Sequence, residues 1–342
     1  MKKGLAIAVA ALMLFVAVDA QAGDKQRRGT AGSTHLLVPL TARTAALGTA
    51  VTSGVAGMSG LEGLDANAAN LTLNQGTNVL VSRMDYVADI GVNYFGVAQR
   101  FGSNNIALTL SSWDFGDIPL QTETSPDVSN VTWSANYTTL GLAYARNLTD
   151  RISAGINVKI VNERIDDVDA SGVAFDAGMT YEAGDSGFRF GVSLKNFGPE
   201  RRYSGTGLVR FVKLPGQIDA AQPSAVSIEG APYDMPSLLN FGAAYTIDTG
   251  AGAAVTLLGN FRSNSFTQDQ YSAAVEVTLM DMLYVRGGYM MEQDMDLTFY
   301  NGTNFGAGVA LDLSGIQVNV DYALRQTEFF DNVSMLTASF TL

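Results

Sequence analysis

The sequence contains no cysteine and a single histidine, His35. Without cysteine the chain can form neither a disulfide nor the acylated cysteine of a lipoprotein. One histidine provides neither a cluster of metal ligands nor the nucleophile and base pair of many hydrolases. Basic residues are also scarce, 21 against 33 acidic ones, and the net charge of −12 argues against a nucleic-acid partner. These shortages predict a non-enzymatic protein without a cofactor.

A hydrophobic run long enough to cross a membrane as a helix is missing as well. The N-terminal apolar stretch, Leu5 to Val18, lies between two lysines and the small-residue site Ala-Gln-Ala. This order is typical of a secretory signal peptide at residues 1–22, whereas a membrane anchor needs roughly 20 apolar residues. Any membrane insertion of the mature chain must therefore use β-strands.

Alternation of apolar and polar residues is the dominant pattern after residue 78. In RISAGINVKI (151–160), Ile, Ala and Val alternate with Ser, Gly, Asn and Lys, and the same pattern recurs in GFRFGVSLKNFGP and IQVNVDYALR. A period of two indicates β-strands. The apolar side could be covered either by lipid or by the core of a secreted β-sandwich.

The number and length of the alternating runs favour lipid. Most are ten residues or longer, close to the 9 to 11 that cross a bilayer. Short turns alternate with longer links such as 116–135, 198–236 and 293–303, as in outer-membrane barrels. The predicted strands are 79–85, 88–101, 105–115, 136–147, 151–163, 171–183, 188–197, 237–247, 253–263, 270–279, 282–292, 304–313, 316–326 and 333–342. The sequence thus predicts that residues 79–342 form a fourteen-stranded antiparallel transmembrane β-barrel. It would contact lipid in the outer membrane of a Gram-negative-type bacterium.

Residues 23–78 do not follow the strand pattern and are rich in small residues. A barrel of fourteen strands has a lumen too wide to be filled by its own side chains. The spacing of Leu47, Val51 and Val55, with glycines between them, indicates a compact plug inside the barrel. The alternative is a flexible periplasmic arm.

Charged residues on the strands should point into the lumen and form pairs, because an Arg or Lys facing lipid costs about 2 to 4 kcal/mol at the midplane. Glu276 and Arg286 are equidistant from the turn near Asp281, so they should lie opposite each other. Lys159 and Asp176 could pair in the same way. We expect both pairs to be structural.

The longest link, 198–236, mixes basic and apolar residues and is the preferred element for binding a partner or gating the lumen. The alternative is a disordered cap. The candidate residues are Arg201, Arg202, Arg210, Phe211 and Lys213.

The segments PLTARTAALGTA and LDANAANL resemble the N-terminal signature of the FadL-like outer-membrane proteins, particularly of the PorV/PorQ family. The matching residues are Ala42, Arg43, Gly48, Asn67 and Ala69, whereas Ala68 and Asn70 stand where the family's turn usually has Pro and Gly. Later segments, among them SWDFGDIPLQTE and LGLAYARNLTDRISAGINVKIVNERI, follow in the family's order.

The resemblance implies a fourteen-stranded barrel with an N-terminal plug, and one of two functions. PorV is a partner protein of type IX secretion that receives exported cargo, and FadL transports long-chain fatty acids and other hydrophobic molecules. Because the central segments look closer to PorV/PorQ, the sequence favours a partner in protein export or surface attachment. The alternative is a FadL-like transporter of hydrophobic small molecules.

Overall fold

The computed structural model describes residue 27 and residues 29–121, 131–216, 218, 222–250, 252–292, 295 and 298–342. The predicted signal peptide, residues 1–22, lies outside them. Within the described residues no helix is both long and apolar enough to cross a membrane.

Long β-strands make up most of the described chain. In order they are β1 (Thr77–Asp85), β2 (Gly91–Phe101), β3 (Asn104–Pro119), β4 (Thr132–Asn147), β5 (Ile152–Ile165), β6 (Val168–Glu182), β7 (Phe188–Phe197), β8 (Ser204–Gly205), β9 (Val209–Val212), β10 (Ser224–Ser227), β11 (Leu238–Gly250), β12 (Ala253–Asn264), β13 (Gln270–Leu279), β14 (Leu283–Glu292), β15 (Tyr300–Leu313), β16 (Ile316–Thr327) and β17 (Val333–Thr341).

Strands β1–β7 and β11–β17 pair antiparallel with their neighbours, and β17 pairs with β1, so the sheet closes. The predicted fourteen-stranded antiparallel barrel is therefore confirmed. The predicted link 116–135 was too long, because β3 continues to Pro119 and β4 begins at Thr132. The register shifts between Asp114 and Asp117, and this bulge interrupts the alternation by which the strand was recognised.

The outer face of the barrel is apolar and the inner face is polar. Exposed side chains around the outside include Val81, Leu142, Phe305 and Leu336. In the RISAGINVKI segment, Ile156 and Ile160 point outward, whereas Asn157 and Lys159 are buried inside, as the alternation predicts. A closed barrel with an apolar belt leaves no unpaired strand edge in lipid. This architecture places the protein in the outer membrane of a Gram-negative-type bacterium.

The links at the two ends of the barrel differ in length. The end with the longer links is the extracellular one by the asymmetry of such barrels. There, β8 adds to β6, and β9 and β10 form a separate hairpin within the link from β7 to β11. The first link, near Tyr86, is short and turns through Ala88 and Asp89, both with positive φ.

The segment that precedes β1 lies inside the barrel, where most of its side chains are buried. It contains two short helices, α1 (Ala42–Ala46) and α2 (Gly60–Leu64), and 3-10 turns at Thr34–Leu37 and Ala68–Leu73. A capping box between Ser59 and Glu62 starts α2. We call residues 29–76 the plug; the sequence placed its end at residue 78, and β1 begins at Thr77.

The plug runs through the barrel from one end to the other. Ala31 forms a β-bridge with Asp234 in the long extracellular link. At the opposite end, the amide of Arg100 on β2 donates to the carbonyl of Gly76, the last residue of the plug, 3.0 Å away. The plug therefore contacts both mouths of the barrel.

Candidate functional site

The plug approaches the inner wall most closely at glycines. Gly155 on β5, Gly178 on β6 and Gly191 on β7 have no side chain to separate the wall from the plug. A Cβ at Gly155 would overlap the carbonyl of Ala68, and one at Gly191 would overlap the carbonyl of Thr52. The plug can lie against β5–β7 only because these positions lack a side chain.

Asn67 of the plug binds the wall at the junction of β6 and β7. Its Nδ2 donates to the carbonyls of Met179 on β6 and Val192 on β7, at 3.2 and 3.3 Å, and to Thr52 of the plug at 2.8 Å. Its Oδ1 accepts from the amide of Ala69 at 3.0 Å. One amide therefore joins two parts of the plug to two adjacent strands.

On the opposite side, buried charges hold the plug. Arg43 of α1 forms a bidentate pair with Glu276 of β13, at 2.9 Å from Nε and 2.6 Å from NH2. Arg286 of β14 also donates to Glu276, at 2.6 Å, and pairs with Asp321 of β16. The ring of Tyr284 lies beneath both guanidinium groups. Bidentate, charge-assisted contacts of this kind are strong and directional.

The outer wall behind Asn67 and Ala68 is concave. A groove of about 650 Å³ crosses β5, β6, β7 and β11 on the lipid-facing side, with the small residues Ala154, Gly155, Ala177 and Gly178 in its lining. Thr180 and larger apolar side chains complete that lining, and the apolar ones are Ile152, Ile156, Met179, Tyr181, Phe190, Val192, Leu194 and Leu239. At Gly155 and Gly178, only the strand backbone separates the plug from this apolar groove.

The strand pairing is irregular beside the groove. The β6–β7 register shifts between Phe175 and Ala177, and Asn196 of β7 has a φ of +57°. The amide of Asn196 donates to Asp176 at 2.8 Å, and Lys159 contacts both of their side chains. The seam between β6 and β7 thus departs from regular pairing at the groove.

A narrow internal cavity of about 40 Å³ lies between the plug and β2–β5. Leu36, Val38, Leu40 and Leu64 of the plug line one side, and the wall contributes Trp113, Thr139 and Asn157 among others. One water needs roughly 10 to 15 Å³ of such volume. The cavity therefore has room for a few waters but not for a larger molecule while the plug is in this position.

The extracellular end of the lumen is closed by a cluster around Glu163 of β5. Its Oε2 accepts hydrogen bonds from Tyr203 and Tyr233, at 2.7 and 3.0 Å, and its Oε1 lies 3.2 Å from Arg201. His35 of the plug lies 3.4 Å from the same oxygen, and burial lowers the pKa of His35 to about 4. His35 is consequently neutral at pH 7.

The structure brings together the charged residues that the sequence paired. Arg286 Nε lies 2.6 Å from Glu276 Oε2, and Lys159 Nζ lies 2.7 Å from Asp176 Oδ1. Glu276 and Arg286 are directly opposite in the register, whereas Lys159 reaches Asp176 diagonally because Asn157 is the partner of Asp176.

The residues predicted for the plug motif occupy both of its flanks. Ala42 and Arg43 contact the wall on one side, where the Ala42 amide donates to Thr337 Oγ1 at 2.8 Å. Gly48 passes against Gly288 of β14, whose Cβ would lie 2.7 Å from the Gly48 amide nitrogen. Asn67, Ala68 and Ala69 lie on the other side, at the turn that the resemblance singled out.

The predicted partner loop splits into an internal and an external part. Arg201 is buried and contacts Glu163, Ser33 and the carbonyl of Ala170, so it is not available to a partner. Arg202 pairs with Glu229, and Arg210 donates to backbone carbonyls of its own hairpin. Phe211 and Lys213 are exposed.

Several residues of the site were missed by the sequence reasoning. The wall glycines carried a usable signal, since Gly155, Gly178 and Gly191 fall on the inward face of their strands. Asp321 also falls on the inward face, but its position beside Arg286 depends on a third strand. Trp113 and Thr139 gave no sign that they share a cavity with His35.

The fold is similar to that of solved hydrocarbon channels. The CymD monoaromatic hydrocarbon channel has a TM-score of 0.58 and 12% identity, with 89% of this chain and 97% of that chain covered. The toluene transporter TodX of P. putida has a TM-score of 0.56 and 13% identity, covering 86% and 96%. A Pseudomonas aeruginosa FadL homologue has a TM-score of 0.51 and 12% identity, covering 89% and 98%.

The chain has the FadL-like fold. No protein-family model matches the sequence, and no curated protein matches it either. The closer resemblance to PorV/PorQ stays a prediction, because the structural neighbours support only the coarser likeness to FadL-like barrels.

Proposed function

We propose that this protein is a non-enzymatic transporter that carries hydrophobic small molecules across the outer membrane. The observation that carries the proposal is the apolar groove outside β5–β7, which lies directly behind plug residues Asn67 and Ala68. The likeness of the fold to hydrocarbon channels agrees with it. This reverses the preference that the sequence gave to an export partner.

The geometry favours a route through the wall rather than along the whole barrel axis. The plug fills the lumen, and the internal cavity of about 40 Å³ is too small for a hydrocarbon. An apolar molecule gains roughly 25 cal/mol for each Å² that leaves water, so moving sideways into lipid is favourable. Displacement of the Asn67–Ala69 turn would connect the lumen to the groove, where the β6–β7 pairing is already irregular.

Transport through this route requires the plug to move, and a disulfide can test that requirement. Because the chain has no cysteine, the double variant Asn67→Cys/Gly178→Cys introduces one pair of thiols between the moving turn and the wall, where a Cβ at position 178 would lie 2.8 Å from Cγ of Asn67. We expect toluene uptake by cells or proteoliposomes to fall at least about tenfold under oxidising conditions and to recover after reduction.

Each single-cysteine variant is the control, since neither can form the intramolecular bond. If the oxidised double variant takes up toluene as fast as the reduced one, the plug does not gate transport. The proposed function itself would be contradicted if hydrophobic compounds enter at the same rate with and without the wild-type protein in the membrane.

A second candidate function rests on the extracellular hairpin of β9 and β10. Phe211 and Ile218 are each 75% exposed, and Ile228 is also exposed. Exposed apolar groups of this size are typical of contact surfaces. If the protein is an export partner, secreted proteins should co-purify with it from native membranes in mild detergent. The variant Phe211→Ser should reduce the amount that co-purifies. If no secreted protein co-purifies, or if Phe211→Ser does not change the amount, this candidate function is excluded.

A further inference from the structure

The internal cavity between the plug and β2–β5 contains buried polar atoms without hydrogen-bond partners. Within the described residues these are both ring nitrogens of His35, Nε1 of Trp113, Oγ1 of Thr139 and Oδ1 of Asn157. Each of the four residues is at least nine-tenths buried. A buried polar atom without a partner costs about 1 to 3 kcal/mol, so four such side chains around one cavity form an unusual arrangement.

Three of these side chains meet at the extracellular end of the cavity. The rings of His35 and Trp113 are in edge-to-face contact, with centroids 5.8 Å apart. Thr139 is the cross-strand partner of Ser111, two residues from Trp113 on the same face of β3. Asn157 lies farther from this group. Trp113 aligns through Tyr137 with Glu163 on β5, and Asn157 is six residues before Glu163, about 20 Å along the strand at roughly 3.3 Å per residue.

The hydrogen-bonding capacity of this upper group is mixed. The indole N–H of Trp113 can only donate, and the hydroxyl of Thr139 can donate and accept. Neutral His35 has one donor and one acceptor nitrogen. One hydroxyl group can accept from Trp113 and Thr139 and donate to the acceptor nitrogen of His35, whereas a bare hydrocarbon pairs with none of these atoms.

A carboxylate does not fit the cavity as well. Lys159, the cation in the lining, already contacts Asp176 and Asn196. Asp65, also in the lining, is paired with Lys195 at 3.3 Å, and Glu163 lies beside His35. Among the described lining residues, the cavity therefore offers a negative surround and no cation left over for an acid.

Besides the hydroxyls of Thr109 and Ser111, the rest of the lining is apolar or aromatic. Leu36, Val38, Leu40 and Leu64 come from the plug and Tyr94 from β2. A ligand with an apolar body and one hydroxyl would bury its body against these side chains and place its hydroxyl near Trp113 and Thr139. Four of these apolar side chains belong to the plug, so the cavity of about 40 Å³ admits such a ligand only when this part of the plug moves outward.

We propose that the cavity between the plug and β2–β5 is a selective binding site for small hydroxylated apolar molecules of the phenol class. The proposal rests on the transport function above and names the substrate class of that pathway. It separates this chain from a channel for bare hydrocarbons, since a site that is built to hydrogen-bond a hydroxyl discriminates against the analogue that lacks it.

Phenol and toluene are a matched pair for the test, because they differ by a hydroxyl in place of a methyl group. Equilibrium binding of each labelled compound is measured on the full-length protein in detergent micelles, and their uptake is measured in proteoliposomes. We expect wild-type protein to bind phenol at least about tenfold more tightly than toluene.

Two variants remove the hydrogen-bonding atoms, Thr139→Val with little change in shape and Trp113→Phe with the loss of one ring of the buried indole. Thr139→Val and Trp113→Phe should each reduce the phenol-to-toluene preference about five- to tenfold, with toluene binding unchanged or improved. The control is Thr138→Val, on the same strand but on the outward face, whose hydroxyl bonds to Asn136. This control should retain the wild-type preference.

The outcomes separate the site from the transport function. The hydroxyl site would be overturned if toluene is taken up and phenol is not preferred, or if Thr139→Val leaves the preference for phenol intact. Either result would show that these atoms bind water only. Failure of both compounds to enter proteoliposomes would count against the proposed transport function. Phenol preference that falls in both variants and persists in Thr138→Val supports the site.

Discussion

The two flanks of the plug are held to the barrel by different forces. On the flank facing β13–β16, Arg43 joins a buried network with Glu276, Arg286 and Asp321. On the flank facing β5–β7, the contacts are close backbone packing over glycines, hydrogen bonds of Asn67 and Ser193, and one ion pair between Asp65 and Lys195. The charged flank thus depends on a network of four charged side chains, whereas the Asn67–Ala69 turn of the glycine flank depends on close packing and two neutral hydrogen bonds to the wall.

This difference predicts which flank moves. Separating a buried ion pair leaves charges unpaired in a low-dielectric site, which is costly. Moving the Asn67–Ala69 turn breaks the two neutral hydrogen bonds of Asn67 to the wall, and the outer wall there faces the apolar groove. We therefore expect the plug to stay anchored at Arg43 while the Asn67–Ala69 turn moves away from the wall.

The largest effect should come from breaking the charged flank. Glu276→Gln leaves Arg43 and Arg286 beside each other without their shared carboxylate, so we expect a loss of about 3 to 5 kcal/mol in the free energy of unfolding. The measurement is the urea midpoint of the protein in detergent micelles, together with the temperature at which the folded barrel disappears on gels.

The matched control for this variant is Asp85→Asn, which removes one partner of the exposed pair between Arg83 and Asp85. An exposed pair contributes less than about 1 kcal/mol. Equal losses in the two variants would mean that the buried network does not anchor the plug.

A smaller effect should follow from crowding the glycine flank. Gly155→Ala places a methyl group against the carbonyl of Ala68, which is backbone and cannot rotate away. We expect about 1 to 3 kcal/mol of destabilisation and an increase in passive entry of small solutes, because the turn is pushed off the wall. Solute entry into proteoliposomes and the urea midpoint measure the two effects.

Gly287→Ala on β14 is the control for this substitution, since no atom lies within 4 Å of its added Cβ. If solutes enter no faster through Gly155→Ala than through Gly287→Ala, the close approach at Gly155 does not seal the wall.

The barrel could be predicted from the sequence, because a strand's alternation and length are local properties. Each predicted strand corresponds to an observed one, and the largest error, at 116–135, occurs where a bulge breaks the alternation. The pairing of Glu276 with Arg286 was also local, since both lie on one hairpin.

The site could not be predicted in the same way, because its contacts join distant parts of the chain. Arg43 reaches Glu276 across 233 positions, and no local pattern specifies that contact. Arg201 was a candidate for binding a partner or gating the lumen because it lies in a link that mixes basic and apolar residues, and the sequence did not show that it turns inward to Ser33 and Glu163. The cavity around Trp113 exists only because the plug crosses β2–β5.

The last expected effect concerns pH and Glu62, which lies behind the charged flank. Its Oε2 accepts from the amide of Ser59 at 2.9 Å, and Arg43 NH1 is 3.7 Å away. Burial, and next the carboxylate of Asp321, raise the pKa of Glu62 from 4.5 to about 7. A raised carboxyl pKa stabilises the folded state fully below pH 4.5, and this stabilisation is lost as the pH rises through about 7.

Glu62→Gln keeps an acceptor for the Ser59 amide but cannot ionise. We therefore expect the wild-type urea midpoint to fall relative to that of Glu62→Gln between about pH 5 and pH 8. His35, with its lowered pKa, acts in the opposite direction, because its contribution is lost as the pH falls from 6.5 towards 4. Because both the wild type and Glu62→Gln contain His35, subtracting one urea midpoint from the other removes the contribution of His35. Glu182→Gln, at an exposed pair with Arg189, should follow the wild type at every pH. If Glu62→Gln does so as well, Glu62 does not change protonation when the protein folds.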